Sequence, residues 1–99
     1  MATSNINVAL EIIDKVIKLT KKYRATLKDK DFCLSSNNFE INLCSFTLDQ
    51  VKIILENNVG KLVSLTVKYR EYNKPMFYEE LKEIGFKENF GFVMYSFLC

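Results

Sequence analysis

Ile6, Leu10, Ile13 and Ile17 recur at steps of four, three and four, the spacing that lines one face of an α-helix. Ala9, Val16, Tyr23 and Leu27 flank the same side, so the apolar arc covers roughly half the surface of a helix predicted over 6–27. Ser4 stands where an N-cap belongs. Glu11 with Lys15 and Asp14 with Lys18 form acid-first pairs four residues apart on the polar side. The pattern then changes period. Residues 31–34 and 39–46 read as two strands around Ser35, Ser36, Asn37 and Asn38, with Phe39, Ile41 and Leu43 on the core face. Thr47 and Gln50 have the spacing of a capping box, and Leu48, Val51, Ile54 and Leu55 predict a short helix ending near Asn57 to Gly60.

Residues 62–72 give the clearest strand, with Val63, Leu65, Val67 and Tyr69 on one face and Ser64, Thr66, Lys68 and Arg70 on the other. Pro75 suits the first position of a third helix whose face is Phe77, Leu81 and Ile84. Gly85 is placed to close that helix in a left-handed conformation, with Phe86 against Leu81. Residues 92–98 are apolar on both faces, which predicts a central or covered strand. The expected architecture is one α+β domain over 1–99. A four-stranded sheet packs against a long N-terminal helix and two shorter ones, in the order α-β-β-α-β-α-β. An apolar arc as wide as that of the first helix exceeds what so small a sheet covers. Ile6, Leu10, Ile13 and Ile17 are therefore expected to form a homodimer interface.

Charge divides the chain unevenly. Residues 1–30 hold seven basic and three acidic side chains, a local +4, while residues 31–99 hold seven and nine, a local −2. Lys15, Lys18, Lys21, Lys22 and Arg24 are thus candidates for contact with nucleic-acid phosphates. The competing and weightier reading is a solvated helix face, because the charge is Lys-rich whereas base reading favours Arg. Lys68, Tyr69, Arg70 and Tyr72 interleave cations and rings as a single-strand stacking platform does. Tyr69, however, shares the inward parity of Val67.

Catalytic chemistry finds little support. The chain has no His, so Cys33, Cys44, Cys99 and the serines lack the commonest general base. Glu79, Glu80, Glu83 and Glu88, with Glu71 near them in sequence, are the only candidate cation ligands. Lys82 and Lys87 sit among them, which favours surface ion pairing over metal binding. Gly60, Gly85 and Gly91 are too dispersed for a phosphate loop. Three widely spaced cysteines make a poor disulfide framework. Buried structural thiols are the leading expectation, with a Cys33–Cys44 bridge across the hairpin and a reactive thiol as alternatives. A non-enzyme is expected, with no cofactor, no metal and no evident small-molecule substrate.

The longest apolar run, Phe92 to Cys99, is eight residues, against about twenty for a membrane span. With no basic leader at 1–13, the expectation is a soluble intracellular protein with no membrane association.

Ala, Gly, Pro and Arg are scarce while Lys, Asn, Ile, Phe and Tyr abound, the usage of an AT-rich genome. That usage, the 99-residue length, the lack of His and the 26% charge resemble the small proteins of filamentous viruses of hyperthermophilic archaea, the lipothrixvirus and rudivirus group. Nine Asn and three Cys depart from hyperthermophile usage. The resemblance implies an intracellular (host cytoplasm) or virion protein of a DNA virus, often dimeric, and transfers no site residues. The functional expectation is a non-catalytic, homodimeric interaction protein that binds a host or viral macromolecule. The alternative is nonspecific nucleic-acid binding through the basic helix face.

Overall fold

In the computed structural model, residues 2–68 and 75–99 are described, apart from the side chains of residues 2–4 and 29. Helix α1 spans Ala2–Tyr23, strands β1 and β2 span Phe32–Ser35 and Glu40–Asn42, and α2 spans Leu48–Glu56. Strand β3 is Leu62–Lys68, α3 is Pro75–Ile84, β4 is Lys87–Asn89 and β5 is Phe92–Leu98. The fold is α+β, with five strands rather than four. All pair antiparallel in the order β2-β1-β3-β5-β4.

Register explains which residues enter the core. Val63, Leu65 and Val67 of β3 stand opposite Phe97, Tyr95 and Val93 of β5, while Phe32 and Leu34 of β1 stand opposite Val67 and Leu65. Directly opposed residues share a face. That face packs against Ile6, Ala9, Ile13 and Val16 of α1, Val51 and Leu55 of α2, and Phe77 and Leu81 of α3, all in one buried cluster. The other face carries Ser35, Ser64, Thr66 and Ser96, with the Ser64 and Ser96 hydroxyls hydrogen-bonded at 2.9 Å. Strand β5 is interior, as its apolar character predicts. Its outward face is nevertheless uncovered at Leu98, which is 57% exposed.

Several boundaries differ from expectation. Helix α1 begins at Ala2, so Ser4 lies within its first turn and is not the N-cap. It ends at Tyr23, not Leu27, because Arg24 turns left-handed at φ 51. The Arg24 and Ala25 amides then donate to the Lys21 and Thr20 carbonyls, the paired closing bonds of a Schellman motif. Leu27 still packs against the core, but from the connector. The predicted strand over 39–46 stops at Asn42, and Leu43–Ser45 form a 3-10 turn that points Leu43 inward. Residues 69–72 of the predicted third strand lie outside the described residues. The unexpected strand β4 is a polar edge joined to β5 through Phe90 and Gly91, where Gly91 supplies the positive φ (75°) of the tight turn.

Other local readings hold. Thr47 and Gln50 form the reciprocal capping box, at 3.2 and 2.9 Å. Gly85 closes α3 at φ 129, with the Phe86 amide donating to the Leu81 carbonyl. The three cysteines are free of disulfide bonds, with Cys33 and Cys99 buried as expected and Cys44 exposed, contrary to that expectation, because the chain turns out of the strand at Leu43–Ser45. Cys33 stands opposite Asn42, not Cys44, and its buried thiol donates to the Lys30 carbonyl. No helix among the described residues is long and apolar enough to cross a membrane.

Candidate functional site

The basic face of α1 meets α3 at a defined place. The C-terminal end of α1 lies against the first half of α3, with the Tyr23 and Phe77 rings 6.5 Å apart. Lys22 reaches Glu80 at 3.4 Å, and its ammonium also sits 5.1 Å from the centre of the Tyr23 ring. The Tyr23 hydroxyl donates to Glu80, which is the main reason that this carboxylate is held below its ordinary range. The same contact pushes the Tyr23 hydroxyl up, while hydrogen bonding to Tyr23 and then Glu80 raises the Lys22 ammonium. This Lys22–Tyr23–Glu80 cluster pins the two helices together at one end.

Beyond it the helices leave an open groove of about 630 Å³. Its deeper lining is apolar: Ile12, Leu19, Ile84 and Tyr95 are buried or half-buried. Val8, 47% exposed, continues that lining and also borders a smaller recess with Asn5 and Phe97. Glycine at 85 shapes the floor. A Cβ there would stand 3.1 Å from the Tyr95 ring, so the bare backbone lets that ring lie close beneath the end of α3. Lys15, Lys18 and Lys22 edge the α1 side, together with Glu11, while Glu80 and Glu83 edge the α3 side. Lys18 is paired with Asp14 at 2.9 Å. Among the described residues no ion pair joins Glu11 to Lys15, so that expected pairing is not formed.

The candidate residues are thereby sorted. Lys15, Lys18 and Lys22 share one rim, whereas Lys21 does not line the groove and Arg24 lies past the end of the helix. Residues proposed for a dimer interface are used inside the chain. Ile6 and Ile13 are 4% and 1% exposed, and Leu10 and Ile17 pack half-buried against the same core. The pairing surface expected there is therefore corrected: a helix packed on the sheet and against both other helices spends this stripe on its own domain.

The acidic cluster also resolves into pairs. Lys82 holds Glu79 at 3.1 Å and Glu88 at 2.9 Å, which drives its ammonium pKa upward, with Glu88 the larger cause. Glu71 lies outside the described residues. Among the described residues no three His, Cys, Asp or Glu side chains gather as metal ligands do. The stacking-platform candidates Tyr69, Arg70 and Tyr72 are likewise outside them. On the outward sheet face β3 and β5 contribute Lys68 and the single ring of Phe92.

Val8, Ile12, Leu19, Ile84 and Tyr95 were not anticipated as a site. The first three repeat at steps of four and seven beside the core stripe, a signal present in the width of the apolar arc. Ile12 is itself buried in the core and Leu19, Ile84 and Tyr95 pack half-buried against it, so Val8 is the exposed member of the set. Compared with known proteins, the chain matches no family model, no curated protein and no solved structure.

Proposed function

We propose that the chain is a non-catalytic interaction protein, of the small viral type its residue usage suggests, which holds a protein partner in the groove between α1 and α3. The observation that carries this reading is a half-open apolar floor between rims of opposite charge. Contiguous apolar surface of this kind, rimmed by polar residues, characterises binding grooves. A non-catalytic role is supported by the state of the candidate nucleophiles. Burial raises the Cys33 and Cys99 thiols, Lys82 pairs with Glu79 and Glu88, and Lys22 pairs with Glu80. A polyanion suits the groove poorly, because Glu11, Glu80 and Glu83 stand in the same lining as the lysines.

Selection of a displayed random-peptide library against the folded chain tests the reading. Enriched peptides are expected to compete with one another and to lose binding to Val8→Asp, while binding Lys52→Glu as before. Enrichment of nothing, or of peptides indifferent to Val8→Asp, defeats it.

A further inference from the structure

We infer that the occupant of this groove is an amphipathic α-helix of a partner protein, acidic along the flank that faces α1; this rests on the groove being the docking surface. Three features of the groove select that shape and charge.

The first is backbone chemistry. The groove is walled by two helices, whose amides and carbonyls are bonded internally, and floored by Tyr95 of β5, a strand paired along its length by β3 and at Phe92–Met94 by β4. Between the two helix walls it therefore offers a ligand side chains, and the stretch of β5 edge that β4 leaves unpaired, Tyr95–Leu98, lies toward the smaller recess by Asn5 and Val8. An extended peptide would lay its own amides and carbonyls against Ile12, Leu19 and Ile84 without partners, whereas a helix brings its backbone already satisfied.

The second is form. The α1 lining runs along one helical face from Val8 to Lys22, roughly four turns and about 21 Å at 1.5 Å per residue. A straight wall of that length, with apolar positions at 8, 12 and 19, accepts a second helix whose apolar residues repeat every three to four positions.

The third is charge. Lys15 and Lys18 stand on one rim and Glu83 on the other, and all three are exposed. A helix seated between them gains by presenting carboxylates toward α1 and a cation toward α3. A second copy of this chain supplies no such helix. Its α1 stripe is buried in its own core, and its α2 and α3 each show one large exposed apolar residue, Ile53 and Met76, where an apolar helix face needs several at helical spacing.

The experiment uses sixteen-residue synthetic peptides with Leu at helical spacing, titrated by fluorescence anisotropy and circular dichroism against the full chain. One peptide carries Glu toward α1 and Lys toward α3; a second exchanges those charges; a third has the first sequence with a central Pro. The first is expected to bind with a gain of helicity. Exchanging the charges should weaken binding about tenfold, and Lys15→Glu with Lys18→Glu should restore the exchanged peptide. The Pro peptide should lose at least about a hundredfold. Binding that depends on Val8 but is equal for the Pro peptide, or blind to charge order, overturns the helix and leaves the groove standing. Binding unaffected by Val8→Asp, or none by any peptide, removes both. Sedimentation showing a dimer that Val8→Asp dissociates would assign the groove to a second copy and overturn the inference.

Discussion

The two flanks of α1 are built from the same kinds of residue and end in different surroundings. Ile6, Ala9, Ile13 and Val16 are enclosed by the sheet and the neighbouring helices. One strip around the helix, Val8, Ile12 and Leu19 reach a groove that nothing described fills. Periodicity states that a face leaves water; it does not state what replaces the water. The Ile6–Ile17 stripe, expected to face a second molecule, is instead withdrawn from water inside its own chain. The large apolar side chain that α1 leaves exposed is Val8, on the adjoining strip and bordered by charge, while Ile12 and Leu19 of that strip still touch the core.

Several substitutions sharpen this contrast. The largest effect is expected at Ile13→Ala, which removes a fully buried side chain and should cost about 2–5 kcal/mol in urea unfolding at unchanged m. A loss under about 1 kcal/mol would mean that the stripe is not core. Gly85→Ala comes next. It forces a side chain into φ 129 and against the Tyr95 ring, so a loss of about 1–3 kcal/mol is expected, together with weakened peptide binding as the groove floor shifts.

Arg24 is the counterpart of Gly85, because both close a helix wall of the groove through the same pair of backbone bonds. Arg24→Gly relieves the left-handed strain on a residue with a side chain. Part of that gain is offset by the entropy of a freer unfolded chain, leaving a net stabilisation of about 0.5–1 kcal/mol by thermal unfolding. Val8→Asp, half exposed, should alter stability by no more than about 0.5 kcal/mol while abolishing groove binding. Equal losses at Val8 and Ile13 would erase the distinction between the flanks.

The smallest effect concerns the groove's pinned end. Glu80 has a lower pKa folded than its ordinary 4.5, so the unfolded chain takes up its proton first as pH falls. The stabilisation is present above that ordinary value and is lost as pH drops through the lower folded value. Melting temperatures measured from pH 6 to 3 should therefore fall less for Glu80→Gln than for the parent. Parallel curves would remove the cluster as a stabilising contact.

Legibility followed how local each cause was. The Thr47–Gln50 box and the Gly85 stop were readable because cap chemistry needs only neighbours in sequence. The alternation of Val63, Leu65 and Val67 survived intact because one face of β3 is wholly buried. Strand β4 escaped notice because Lys87, Glu88 and Asn89 are all exposed and have no apolar parity to reveal. The stop at Arg24 escaped because an arginine gives no signal of a left-handed residue. Of the candidate site, the lysine rim was visible as a stripe at helical spacing. Its acidic opposite came from residues some sixty positions away and was read as a separate cluster.

Sequence alone set the three helices and every strand but β4, the inward parity of β3 and the apolar character of α1, because each follows from the geometry of a single helix or strand. Tertiary structure alone decided that β4 pairs with one end of β5, that the Tyr95 ring lies beneath the Gly85 stop, and that one strip of α1 stays open while the next is enclosed. Those outcomes depend on which surfaces compete for the same space, and a linear pattern does not rank competitors.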